Sequence, residues 1–255
     1  MTQPSQNLKG RTVLITGASS GIGARFARIV AAAGGNVVIG ARREAQLAEL
    51  AEEITAGGGQ VLPVALDVTS ESSLISAFDE AESRFGLVTG VVANAGINVP
   101  GKAIDLAVSD FDAIMAVNVR GVFLTAREAA RRLIREGRGA EGRVILISSI
   151  TALMQSSGTV TYSASKSAVT HMGRVLAREW ARTGPNVNTL SPGYIRSELA
   201  GDWFDTEGGK RQMSTWPRRR LLDEDALDDI LLFLLSNSSA NVTGSDFVID
   251  DGQSL

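Results

Sequence analysis

Tyr162 and Lys166 stand four residues apart in the run Tyr162-Ser-Ala-Ser-Lys166, a spacing that puts both on one face of a helix. A free phenol titrates near ~10 and carries protons poorly at neutral pH. A cation ~4 Å away, at an effective dielectric of ~20, contributes ~4 kcal/mol, or about three pKa units. Such a lysine would bring the phenol toward neutrality, where general acid–base transfer works best. Ser149 ends an Ile-Leu-Ile-Ser-Ser run thirteen residues earlier, and its hydroxyl is suited to holding a substrate oxygen. Asn118, in Ala-Val-Asn-Val-Arg-Gly, is suited to anchoring a water that leads to Lys166. Metal chemistry has little to stand on: the chain has no cysteine and one histidine, His171, so thiolate and multi-imidazole zinc sites are excluded. His171 lies nine residues beyond Tyr162, about 180° around the helix, and faces away from the pair.

A second motif would hold a phosphate. TGASSGIG, Thr16 to Gly23, follows an apolar run and opens a helical one. Small residues there let the backbone bend and approach a pyrophosphate, whose charge meets the exposed N–H groups of the helix start. The same letters, Gly17 to Gly21, also spell the G-x-S-x-G elbow of serine hydrolases. A hydrolase needs a late histidine in a loop, and His171 falls inside a helix instead.

The elements that must position these residues alternate. Short β-branched runs begin at Arg11, Asn36, Gln60, Leu87, Gly142, Val187 and Asp246. Most are apolar on both faces, the pattern of buried parallel strands. Helical periodicity is expected over residues 22–33, 44–56, 71–86, 110–136, 161–182 and 224–235, with the earlier helices stopped by glycine. Glycine is in excess, 27 in 255 residues, and many fall at these stops and in the phosphate turn. Strand–helix alternation without a linker or repeat predicts one α/β domain, a Rossmann-type doubly wound parallel sheet of about seven strands. Residues 197–217 break the pattern, and a wider stretch, 194–217, is expected to be an irregular substrate lid.

The motifs together resemble the short-chain dehydrogenase/reductase family: TGASSGIG, Asp67-Val68, Asn94-Ala95-Gly96, Asn118, Ser149, Tyr162 with Lys166, and Pro192-Gly193, in family order over almost the whole chain. The resemblance implies an oxidoreductase that moves a hydride between a nicotinamide and a ketone or secondary alcohol. Tyr162 would be the acid–base and Ser149 would orient the substrate oxygen. Lys166 would bind the nicotinamide ribose and acidify the tyrosine, while Asn118 would support a proton relay. Gly17, Ser19, Ser20, Gly21, Ile22 and Gly23 would line the pyrophosphate. Asp67 and Val68 would meet the adenine, and Asn94, Ala95 and Gly96 the adenosine side. Pro192, Gly193, Ile195 and Ser197 would border the carboxamide. Three positions depart from the family pattern: Ala93, Ser197 for a frequent threonine, and Asp251, which interrupts a late Asp-Gly-Gly. Where NAD-specific members end the second strand in an acid, this chain reads Gly40-Ala41-Arg42-Arg43. Arg42 would face a 2′-phosphate, so NADP(H) is expected in preference to NAD(H).

Thr151, Leu153 and Trp203, with Ile150 and Met154, are expected to wall a substrate pocket apolar enough for a moderately hydrophobic ketone, a polyol or acyl group staying open. The family likeness implies a homotetramer built on the two long helices. With 25 basic and 28 acidic side chains, net −3, no nucleic-acid footprint is expected. Arg218 to Arg220 and the series Arg131, Arg132, Arg135 and Arg138 read as solvated faces. No stretch approaches the ~20 apolar residues of a spanning helix, and the N-terminus lacks signal-peptide features, so a cytoplasmic setting is expected. A nucleotide-binding sensor without turnover is the alternative from another class, and the intact polar quartet Asn118, Ser149, Tyr162 and Lys166 argues against it.

Overall fold

The computed structural model describes residues 7–196 and 202–255. Seven strands, β1 (Thr12–Thr16), β2 (Asn36–Ala41), β3 (Gln60–Ala65), β4 (Gly90–Ala93), β5 (Arg143–Ile147), β6 (Asn186–Pro192) and β7 (Asp246–Ile249), form one parallel sheet in the order β3-β2-β1-β4-β5-β6-β7. Period-two alternation fills both faces. Val13 and Ile15 of β1 pack with Phe26 and Leu231 on one side, while Leu14 packs with Phe78 and Val91 on the other. The order reverses between β1 and β4, and the C-terminal ends of the strands open a crevice there, where doubly wound sheets bind ligands.

Helices α1 (Gly21–Ala32), α2 (Glu44–Ala56), α3 (Glu71–Phe85), α4 (Val108–Met115), α5 (Val122–Arg135), α6 (Val160–Trp180), α7 (Glu207–Thr215) and α8 (Asp228–Leu235) complete the element order. Three expectations need correction. The long helix read over 110–136 is α4 and α5 joined by a π-helical stretch, Ala116–Gly121. The stretch read as an irregular lid is not irregular throughout: α7 lies within it, capped by Thr206, whose hydroxyl accepts from the Gly209 N–H at 3.1 Å. A Cβ on Gly209 would sit 2.1 Å from the Trp203 carbonyl oxygen, so the glycine permits a contact rather than marking a loop. Edge strand β3, with Pro63 at its centre, is largely exposed, because an edge has one partner and tolerates proline.

Arg132 is not solvated. Its buried guanidinium binds Glu128, Glu82 and Asp79 and lies over the Phe78 ring, tying α5 to α3. Arg218 and Arg220 pair with Asp251 at 3.1 and 2.8 Å. His171 is exposed on α6.

Candidate active site

Two adjoining cavities occupy the crevice, of about 490 and 570 Å³, and share Ile22, Asn94 and Gly96. The first is floored by the β1–α1 turn. Gly17 has φ +68°, and a Cβ there would lie 2.8 Å from the Ala95 Cα, so only glycine allows the turn to press on the end of β4. Asn94 is the clasp. Its side-chain amide donates to the carbonyls of Thr16 and Gly17, while the N–H groups of Asn94 and Ala95 donate to Thr16 Oγ1. The first turn of α1 carries no acidic residue, and Ser20 makes no side-chain cap, leaving the helix start free to meet an anion. Gly17, Ser19, Ser20, Gly21, Ile22, Gly23, Arg42, Asp67, Val68, Asn94, Ala95 and Gly96 all line this cavity. They fit a dinucleotide: a glycine-turn phosphate cradle beside an apolar slot that ends in cations.

Arg43 lines the same cavity and was not singled out from the sequence. Its guanidinium donates to Ser19 Oγ at 3.0 Å and Ser20 Oγ at 2.5 Å. The signal was present in the Arg42-Arg43 pair, but the letters alone do not say which arginine turns inward. Asp67 is engaged locally, accepting from the Thr69 N–H at 2.9 Å and Thr69 Oγ1 at 2.8 Å. Those bonds, together with the positive field of Arg42, hold its carboxyl below the usual range.

The second cavity holds Ser149, Thr151, Tyr162, Lys166, Pro192, Gly193, Ile195 and Trp203. Ser149 follows β5 and accepts from the Thr151 N–H at 3.1 Å and Thr151 Oγ1 at 3.0 Å. Lys166 is buried; its ammonium donates to the Ile147 carbonyl at 2.8 Å and lies 5.5 Å from the centre of the Tyr162 ring. Ser148 Oγ, bonded to the Lys166 carbonyl at 2.9 Å and to Thr170 Oγ1 at 2.8 Å, fixes α6 on the strand that carries Ser149.

The expected acidification of Tyr162 is not met by the protein alone. Burial pushes its phenol up to about 12, against the opposing hydrogen bond with Ser149, and the nearby Tyr194 adds a smaller upward push. Burial also lowers Lys166 to about 8. Desolvation is the largest cause at both groups.

Asn118 sits fully buried in the π-helical stretch and lines neither cavity. Its amide accepts from the Ile97 N–H at 2.8 Å and donates to the Ile97 carbonyl at 2.9 Å and Ser165 Oγ at 3.0 Å. It therefore locks the loop after Gly96 to α6. Leu153 is a correction: it is half exposed and does not line the pocket. Nor does Met154, although Ile150 does. Ser197 lies outside the described residues. The walls are also less apolar than expected, with Asn98, Ser156, Ser157, Thr159, Tyr194 and Gln212 among them. None of these six was named beforehand, and only Tyr194, directly after Pro192-Gly193, carried a positional signal.

The fold and this paired crevice define a nicotinamide-dependent oxidoreductase of the tyrosine–lysine kind. The short chain dehydrogenase family model matches residues 11–208, and the chain belongs to that family. It is 34% identical to the glucose 1-dehydrogenase of Gluconobacter oxydans over 96% of this chain and 92% of the relative. It is 31% identical to the D-threitol dehydrogenase of Mycolicibacterium smegmatis over 97% of this chain and 94% of the relative. Among solved structures, a gluconate 5-dehydrogenase from Burkholderia cenocepacia in complex with NADP and tartrate superposes with a TM-score of 0.92 at 33% identity. That match covers 98% of this chain and 97% of that one. The protein is thus an NAD(P)-dependent oxidoreductase acting on an alcohol–carbonyl pair, and the sensor without turnover is not favoured.

Proposed function

We propose that the protein moves a hydride between NADP(H), in preference to NAD(H), and a secondary alcohol or its ketone, with Tyr162 exchanging the proton. The observation that carries the cofactor preference is the end of β2. No carboxylate lies there to take a ribose 2′-hydroxyl, whereas Arg42 and Arg43 both line the cavity and suit a 2′-phosphate. Asp67, the acid closest to taking that part, is turned into its own loop by Thr69. The NADP in the Burkholderia gluconate 5-dehydrogenase supports the same reading.

A nicotinamide bound across the two cavities supplies the hydride donor or acceptor. The chain does the rest. Gly17 to Gly23, with the α1 start, hold the pyrophosphate, and Val68 meets the adenine. Lys166 reaches the nicotinamide ribose. Ser149 and Tyr162 converge on the substrate oxygen, so that a proton passes between that oxygen and Tyr162 Oη as the carbon changes oxidation state. Asn118 acts as a positioning residue, holding Ile97 and Ser165 around the lysine. Tyr194, Ile195, Phe204 and Gln212 line the substrate side of the pocket, and Trp203 contributes one wall.

The experiment is a comparison of NADPH and NADH turnover across an alcohol and ketone panel, repeated in Arg42→Ala. Loss of a charged hydrogen bond is worth about 1.5–3 kcal/mol, so KM for NADPH should rise about tenfold or more while that for NADH barely moves. Equal small changes for both cofactors would refute the NADP preference. A homotetramer accompanies this reading, supported by exposed Phe123 and Ile134 on α5 and Val175 on α6, apolar residues on the two helices that would form the contact.

A further inference from the structure

Tyr162 and Tyr194 are the only tyrosines in the chain, and both line the 570 Å³ cavity. Tyr194 is held on every side. Its ring stacks on Trp216 with centroids 5.4 Å apart and meets the edge of Phe204 at 5.2 Å. Its N–H donates to Gln253 Oε1 at 2.6 Å, and its carbonyl accepts from the Leu222 N–H at 3.0 Å and Gln253 Nε2 at 3.2 Å. A ring so fixed brings its hydroxyl to one place. That place is 3.5 Å from Ser156 Oγ, another lining residue, a contact at the outer limit of a hydrogen bond. Two hydroxyls this loosely joined, both lining the cavity, are free to donate to, and accept from, an oxygen that bridges them from the cavity side.

We propose that Tyr194 Oη and Ser156 Oγ form a subsite for a substrate hydroxyl other than the one being oxidised, which makes the substrate a neutral diol or polyol. Neutrality follows from the wall. Among the described lining residues Lys166 is the only charged side chain, and its ammonium is already bonded to the Ile147 carbonyl. A substrate carboxylate or phosphate would enter this pocket without the arginine or lysine partner that such groups require.

The assignment rests on the oxidoreductase reading of the same site. Its test is Tyr194→Phe, which keeps the ring packing and removes only the hydroxyl. With NADP⁺, threitol and butane-2,3-diol serve as neutral polyols, butan-2-ol as the mono-alcohol and gluconate as the acid. The wild type should prefer the neutral polyols. In Tyr194→Phe their kcat/KM should fall about 10- to 100-fold, with that of butan-2-ol unchanged and a pH profile that keeps its shape. Equal loss on diol and mono-alcohol, or a wild-type preference for butan-2-ol or gluconate, would overturn the subsite. If the wild type oxidises no alcohol, the oxidoreductase reading itself has failed. The subsite is then decided by titrating threitol against the tryptophan fluorescence of the protein with NADP⁺ present. Saturable binding that weakens tenfold or more in Tyr194→Phe supports it, and absent or unaltered binding overturns it.

Discussion

Burial acts on the two ends of the Tyr162–Lys166 pair in opposite senses, keeping the phenol protonated and easing the proton off the lysine. A tyrosine held up near 12 enters the reaction carrying its proton, the state that ketone reduction consumes. Alcohol oxidation needs the phenolate instead, and its fraction below the pKa grows about tenfold per pH unit. The kcat/KM for oxidation should therefore climb steeply from pH 6 to about 8, where Lys166 begins to lose its charge and its support for the phenolate. Above that point the climb should bend. Reduction should stay flat over the same range, and Tyr162→Phe should remove most turnover in both directions. Parallel profiles for oxidation and reduction, or an active Tyr162→Phe, would contradict this account. That Tyr162, Lys166 and Ser149 share one cavity was legible in the sequence, because residue type and a short spacing mark them. The direction of the tyrosine shift was not, since it depends on how much protein surrounds the phenol.

The π-helical stretch Ala116–Gly121 is the element that turns Asn118 inward, and such interruptions of α-helices recur at functional sites. Gly121 within it lies against Val68, which lines the 490 Å³ cavity: an added Cβ would stand 2.8 Å from Val68 Cγ2, 3.1 Å from Val68 Cβ and 3.3 Å from the Val68 carbonyl oxygen. Two effects compete in Gly121→Ala. Helix propensity favours alanine by about 1 kcal/mol, while overpacking costs about 1–3 kcal/mol. Because the backbone of Val68 is also too close, rotation of the valine alone does not relieve the clash, and overpacking should win. The expected result is a Tm lowered by about 2–4 °C and a KM for NADPH raised severalfold with kcat nearly unchanged, since Val68 lines the 490 Å³ cavity proposed for the cofactor and not the one that holds Tyr162 and Lys166. A Tm rise would show that the helix term dominates. Periodicity marked α1, α2 and α3 to within a residue or two because their stops are chemical, a glycine after the last turn. An extra residue in one helical turn leaves no such mark, so the interruption at Asn118 read as continuous helix. In the same way Thr206 and the close approach of Gly209 to Trp203 built α7 where glycines suggested a loop.

The contacts least visible in the sequence are those that join its distant parts, and they are concentrated where the C-terminus returns to the substrate side. Gln253 lies 59 residues from Tyr194, yet its buried amide both accepts from and donates to that residue's main chain and also reaches the Arg220 carbonyl. Beside it, Asp251 adopts φ +53° and pairs with Arg218 and Arg220, two arginines whose side chains are more than half exposed. The sequence flagged Asp251 as a departure and the arginines as solvated, and only the folded chain brings them together. Their energetic weight is unequal. Exposed ion pairs contribute about 0–1 kcal/mol each, and a glycine at position 251 would relieve a left-handed conformation worth about 1–2 kcal/mol. Asp251→Gly should therefore leave KM for the alcohol within about twofold, the two terms nearly cancelling. Gln253→Ala removes the acceptor of the part-buried Tyr194 N–H, a loss of about 1–3 kcal/mol, and frees the segment that carries Tyr194. It should raise KM for the alcohol about tenfold while the affinity for NADPH, whose proposed cradle of Gly17 to Gly23 and Arg42 lines the other cavity, stays unchanged. Steady-state kinetics on the two variants separate the cases. If Asp251→Gly is the damaging one, the ion pairs rather than the amide hold the substrate side closed.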